Sequence, residues 1–206
     1  DERFQDYGKL APASKADFAF VQHMYHQLDD NGTLAVVLPH GVLFRGAAEG
    51  HIRQFLIEKH NALDAVIGLP ANIFYGTNIP TCILILKKVR KNSSNILFVD
   101  ASAFSQKGVA QNLLGDEDIN RIMRAYEKRE FSELYSYVAS IDEIEDNNFS
   151  LSIPRYVDTF VEEEPIDLGG VANKISEIEL SIKNIDEVIS IVCGELEIAS
   201  PSGKLI

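Results

Sequence analysis

The chain has 206 residues, 46% of them hydrophobic, enough for one or two modest domains around a sizeable core, and no apolar run is long enough to span a bilayer. Its formal net charge of −12 is unevenly placed, residues 1–99 carrying 10 Lys/Arg against 9 Asp/Glu and residues 100–206 carrying 9 against 22. An acidic surface repels phosphate, so nucleic-acid contact is expected from the near-neutral first half or from a separate basic partner, the other use of the acidic half being a solvated face kept for solubility. Two cysteines, Cys82 and Cys193, form no paired or metal-ligand spacing, which suits a reducing cytoplasm. The first residue is Asp, with no charged-then-apolar leader after it, as expected of a fragment.

Asp1 to Lys15 is polar, with Gly8 and Pro12, and reads as a loop. Ala16 to Leu28 sets Phe20, Val21, Met24 and Leu28 at helical spacing, with Ser14 at an N-cap position and Asp30-Asn31-Gly32 as the stop. Thr33 to Leu38 is an almost unbroken apolar run, the pattern of a strand covered on both faces, and Pro39-His40-Gly41 closes it. After the loop Gly41 to Gly50, the stretch Glu49 to His60 reads as a helix with Ile52, Phe55, Leu56 and His60 inward. Leu63 to Leu69 is the next strand, Pro70 to Pro80 a long polar loop holding aromatic residues, and Cys82 to Lys88 a strand that returns quickly. That order predicts two parallel strands with a right-handed crossover and a further strand turned antiparallel.

Ile96 to Val99 adds a short strand, and Asp116 to Arg129 a helix with an acidic start and a basic end, in accord with its dipole. Tyr137 to Thr159 reads as irregular. In the tail, Val171, Ile175, Ile178, Ile182, Ile185, Ile189, Val192 and Leu196 recur at spacings of four and three, a heptad seam. A helix with so narrow a stripe must lay it against another helix, either of a partner chain or of its own domain.

Ligands of a parallel α/β sheet bind where the strands end, here at Pro39 to Gly46 and Leu69 to Pro80. Phe44, Phe74 and Tyr75 offer flat faces for stacking on a base or, alternatively, for capping a core, and Arg45 is placed to reach a phosphate. His40 has no acidic orienter or nucleophile beside it and is assigned to strand termination rather than catalysis. His23 and His26, three apart, find no third ligand, and no metal is expected. The basic cluster Lys87, Lys88, Arg90 and Lys91 is either a solvated strand exit or a DNA-contact patch.

Four segments carry a resemblance: SKADFAFVQHM (Ser14 to Met24), GTLAVVLPHGVLFRGAAEGHIRQFLIE (Gly32 to Glu58), AVIGLPANIFYGTNIPTCILILKK (Ala65 to Lys88) and NFSLSIPRYVDTF (Asn148 to Phe160). Together with the acidic EEEPIDL that follows, the chain closely resembles the modification subunit of type I restriction-modification systems, an adenine-N6 DNA methyltransferase. The resemblance implies an α/β fold: the C-terminal half of a Rossmann-like sheet that uses S-adenosylmethionine, its last strand antiparallel, followed by an α-helical C-terminal tail. The implied divisions are residues 1–99 for the methyltransferase part, 100–163 for a mixed extension and 164–206 for a docking tail. The implied reaction is methyl transfer to the exocyclic amine of an adenine flipped out of duplex DNA.

By family position Asp17 and Phe18 border the cofactor and the Pro70 to Pro80 loop, with Phe74, Tyr75 and Asn78, borders the target base, to which the loop reading adds Phe44 and Arg45 as substrate-binding residues. The family's glycine-rich cofactor loop and its Asn-Pro-Pro-aromatic motif occur nowhere in these residues, so no catalytic residue is expected here and the chain alone is expected to be inactive. The partners implied are DNA, a specificity subunit that selects the site, and the restriction subunit, with self-association through residues 171–196 as a further use of the seam and no membrane. The competing classes are a non-catalytic interaction module and a methyltransferase acting on RNA or a small molecule.

Overall fold

A computed structural model describes residues 1–159 and 167–199. The chain divides into two compact units, Asp1–Phe160 and Val161–Ile206. The first is a five-stranded sheet built from β1 (Thr33–Pro39), β2 (Leu63–Gly68), β3 (Thr81–Lys87), β4 (Asn95–Asp100) and, beyond a small hairpin of β5 (Gln106–Lys107) and β6 (Asn112–Leu113), β7 (Ser136–Ser140). Its strand order is β1-β3-β2-β4-β7. β3 runs antiparallel to both β1 and β2, which therefore point the same way, while β4 is parallel to β2 and β7 antiparallel to β4. The returning strand thus inserts between the two parallel ones. Because β7 pairs with β4, the sheet runs across residue 99 into the segment expected as an extension.

Period-two alternation divides the apolar residues between two faces. Val66, Leu84, Leu86, Ile96 and Phe98 join Phe18, Val21 and Tyr25 of α2 (Asp17–His26) and Ile52, Leu56 and Ile57 of α3 (Ala47–Glu58) in one cluster. Ala65, Ile67, Ile85, Leu97 and Val99 form the other, with Ile122 of α4 (Asp116–Lys128). β2, central and covered on both sides, is buried at every position. β1 is not: it is an edge strand of the described sheet, and Thr33, Ala35 and Val37 are exposed along one face. Its unbroken apolar run had suggested full cover.

Several local expectations are corrected. Residues 1–15 hold a short helix, α1 (Glu2–Gln5), capped by the Asp1 side chain, which accepts from the Arg3 amide. The buried face of α2 is Phe18, Val21, Gln22 and Tyr25, a clean i, i+3, i+4, i+7 stripe that the polar Gln22 concealed, whereas Phe20 is 66% exposed. Ser14 makes no cap; Ala16 stands at the N-cap without a side-chain bond. The helix stops at His26, before the Asp-Asn-Gly turn. Gly32 is needed there for close approach, since a Cβ would lie 2.9 Å from the Asp29 carbonyl. The stretch read as irregular contains β7, α5 (Ile141–Asp146), capped by the Ser140 hydroxyl, and a 3-10 turn at Ile153–Arg155.

The second unit's described part is α6 (Leu168–Glu195), capped by Asp167, whose carboxylate accepts from the Gly170 amide. Seam residues Val171, Ile175, Ile178, Ile182, Ile185, Val192 and Leu196 are exposed, as are Leu180, Val188 and Ile191 beside them. The acidic run after Phe160 lies outside the described residues as far as residue 166.

Candidate functional site

The ends of β1 and β2 and the start of β3 meet at one border of the sheet, because Pro39 pairs with Thr81 and Gly68 with Cys82. β4 also ends there, with Gly68 opposite Asp100. The two loops singled out from sequence are therefore neighbours. His40 ties them, its Nε2 donating to the Thr81 carbonyl at 2.9 Å, which gives this histidine the local structural role expected of it.

The Leu69 to Pro80 loop carries a two-residue turn, in which Phe74 and Thr77 form an antiparallel bridge around Tyr75 and Gly76. Gly76 has φ +77°, and the open space around it leaves the turn's tip unhindered. Tyr75 is 86% exposed and Phe74 42%, with Asn78 and Ile79 exposed beside them. The loop is braced from outside the region read in sequence: the Asn112 amide donates to Asn72 O at 2.7 Å, and Asn112 Nδ2 to Ala71 O at 2.8 Å. The β5–β6 hairpin that supplies this brace has too few residues to show a strand pattern.

Arg45 does not stand free to meet a phosphate. Its Nε donates to Glu49 Oε2 at 2.6 Å, and its Nη2 to Glu49 Oε1 at 2.8 Å and Asp17 Oδ2 at 2.6 Å. These bonds, led by the one to Glu49, hold the guanidinium above its ordinary pKa despite partial burial. Asp17, at the start of α2, is thereby joined to the β1 loop, and its Oδ1 makes no hydrogen bond among the described residues. Phe18 is 1% exposed and belongs to the core, so its ring is not presented to a ligand in this structure. Phe44 is 56% exposed at the mouth of a cleft beside α3. The Arg45–Glu49 pair was readable from its four-residue spacing at a helix start.

The basic cluster after β3 is mostly committed inward. Lys87 Nζ lies 2.9 Å, Arg90 Nε 3.5 Å and Arg129 Nη1 3.3 Å from the buried Asp64 carboxylate, which also accepts from Tyr126 Oη at 2.8 Å. Lys88 Nζ sits over the Tyr25 ring, 4.3 Å from its centroid. The cluster is therefore neither a solvated exit nor a free DNA patch, Lys91 alone being exposed without such a partner among the described residues. Asp64 was the signal, since a carboxylate inside an apolar strand run must be paired. His23 Nδ1 lies 3.0 Å from Arg3 Nη1 and accepts from it. No group of three or more His, Cys, Asp or Glu among the described residues could hold a metal ion, and no described helix is long and apolar enough to cross a membrane.

The chain is similar to known proteins. The chain is 34% identical over 198 residues to the methylase subunit of the type I restriction enzyme MpnII of Mycoplasma pneumoniae, covering 96% of this chain and 36% of that protein. It is 36% identical to the MjaVII methylase subunit of Methanocaldococcus jannaschii, covering 94% of this chain and 34% of that one. It thus spans about a third of the length of the curated relatives it matches. The crystal structure of a type I restriction-modification system methyltransferase subunit from Streptococcus thermophilus superposes with a TM-score of 0.74 at 53% identity, covering 77% of this chain and 34% of that one. The family model for N-6 DNA methylases matches residues 1–165, the whole sheet and both of its loops, and the chain belongs to that family.

Proposed function

We propose that the chain is the carboxyl-side part of the DNA-methylating subunit of a type I restriction-modification system, a cytoplasmic enzyme that methylates the exocyclic amine of adenine. The strand order β1-β3-β2, with an antiparallel strand set between two parallel ones, supports reading the sheet as the final part of a Rossmann-like methyltransferase. S-adenosylmethionine would supply the methyl group. Toward that cofactor the described residues offer Asp17, whose unbonded Oδ1 can accept from an amine or hydroxyl, while the buried Phe18 supports the helix beneath.

The observation that carries the reading is the exposed Phe74–Tyr75 turn at the carboxyl end of β2. Two aromatic rings held by a braced turn, away from any core, are suited to stacking on a base swung out of the duplex, with Asn78 placed to meet the base edge and Phe44 on the neighbouring loop. Arg45 acts by holding Asp17 and Glu49 in place. The exposed seam of α6 is the surface for a helix of the specificity subunit, with the restriction subunit in the same assembly and the bases of the site read by the specificity subunit. An interaction module without catalysis is the reading that α6 alone favours, and methylation by the full-length protein separates the two. In that protein Phe74→Ala or Tyr75→Ala should remove about 1 to 3 kcal/mol of binding to the extruded base. Methylation should fall while cofactor affinity holds; unchanged turnover in both variants overturns the assignment.

A further inference from the structure

A cleft of about 740 Å³ opens between the first turns of α3 and the Asn147 to Arg155 segment. That segment is one of the stretches that mark the family, yet it contributes nothing to the site described above. No carboxylate lines the cleft, in a chain with 31 Asp/Glu against 19 Lys/Arg, whereas Arg53 and Arg155 both do. Neither arginine forms an ion pair among the described residues; Arg155 Nη1 donates only to Asn147 Oδ1, at 3.2 Å.

Arg53 is 4% exposed and is fixed by backbone carbonyls alone. Its Nε donates to Phe149 O at 2.6 Å, and its Nη1 to Val42 O at 3.1 Å and Arg45 O at 2.9 Å. Nη2 has no protein partner among the described residues and lies 3.9 Å from where a Cβ on Gly50 would be. Burial pushes this guanidinium down to about 10, so the fold holds a cation at a cost that the neighbouring Glu49 only partly offsets. An anion at Nη2 would complete its coordination.

The first turn of α3 adds to this. Gly46 is its N-cap and supplies no side-chain bond, leaving the Ala47 and Ala48 amides without protein partners among the described residues, and Gly46, Ala47 and Gly50 all line the cleft. Backbone at φ near +50°, at Ala47 on one wall and at Asn148 on the other, with Phe149 following it into the core, is the kind of local strain that folds retain where it shapes a site.

We infer that this cleft binds a phosphate ester, and specifically a phosphodiester of the DNA backbone, clamped by Arg53 Nη2, Arg155 and the α3 amides. The choice of DNA over a free phosphate rests on the proposed function, on the cleft's open side and on Phe44 at its mouth. The site would position the duplex and read no sequence.

Binding of a fluorescent mixed-sequence duplex to the chain, followed by anisotropy between about 50 and 200 mM salt, tests the inference. Arg155→Gln should weaken binding on the order of tenfold, as loss of a charge-assisted hydrogen bond does, and lower the slope of log K against log salt by about 0.9, one phosphate. Gly50→Asp sets a carboxylate beside Arg53 Nη2, with only ordinary contacts to Arg45 O and Arg53, and should weaken binding at least as much; circular dichroism reports that each variant is folded. Folded variants that bind like the parent, or a parent chain that binds no duplex at low salt, overturn the inference. So does inorganic phosphate shifting the arginine Nε–H resonances and saturating the cleft where duplex does not. Methylation by the full-length parent is read separately: its absence overturns the proposed function, whereas normal methylation with unaffected cleft variants overturns this inference alone.

Discussion

Asp64 stands inside β2, a strand buried at every position, and is the one carboxylate around which Lys87, Arg90, Arg129 and Tyr126 converge. Burial pushes its carboxyl up, but hydrogen bonds from Lys87 and Tyr126 and the charges of Arg129 and Lys87 outweigh burial and hold it below its ordinary 3.8. Asp64→Asn would leave three cations facing a neutral group and should cost about 3 to 5 kcal/mol, read from urea denaturation. The folded carboxyl is depressed relative to the unfolded one, so the parent's contribution is complete above about pH 4 and is lost as pH falls through the depressed value. The variant should lack that acid limb; an equal loss in both proteins would show that Asp64 is not its source. His60 has the same sign at higher pH. Burial first, and then the charge of Lys88, lower its pKa from 6.5, so the unfolded chain binds the proton more readily and stability should fall as pH drops below about 6.5. His60→Gln should flatten that part of the profile, and an unaltered slope between pH 7 and 5.5 would refute the assignment.

Among the elements, those with many apolar positions were legible and the short ones were not. β2, β3, β4, α3 and α4 lie within two residues of their sequence readings because each presents a long run or a regular period. β7 (SYVAS) and α5 (IDEIED) are five and six residues long, and what makes them is tertiary: β7 exists by pairing with β4, and Ile144 of α5 is fully buried. α6 is the opposite case, a helix of 28 residues written by its own seam. The structure also widens that seam, since Leu180, Val188 and Ile191 flank it and are equally exposed, a surface broad enough for more than one neighbouring helix. Burying each Ile or Leu is worth about 1.5 to 3 kcal/mol before ordering costs. Ile182→Asp with Ile185→Asp puts two charges into the seam. The double variant of the full-length protein should keep its sheet yet lose co-purification with the specificity subunit; assembly at native levels would show that the stripe serves its own unit.

At the scale of the molecule, the sequence located the loops that meet at the sheet's border but not which side chains remain available there. Phe74, Tyr75 and Phe44 stay exposed, whereas Phe18 is absorbed into the core and Arg45 into its carboxylate pair. Exposure of that kind depends on packing from distant segments, such as the Asn112 brace on the loop, and no local pattern encodes it. The same inventory bears on the cofactor. Among the described residues only Asp17 offers an unused acceptor at the predicted cofactor position, and β1 presents an open edge and an exposed face beside it instead of a closed pocket wall. Neither a glycine-rich strand-to-helix loop nor an Asn-Pro-Pro-aromatic run occurs in the 206 residues. A single carboxylate oxygen at the surface adds roughly 0.5 to 1.5 kcal/mol net, whereas micromolar affinity needs about 8 kcal/mol. The chain by itself should therefore not bind S-adenosylmethionine at micromolar concentrations and should not methylate DNA, whereas the full-length protein should do both. Calorimetric titration of the isolated chain is the measurement, and micromolar binding there would mean that the described residues hold the cofactor in a way their geometry does not suggest.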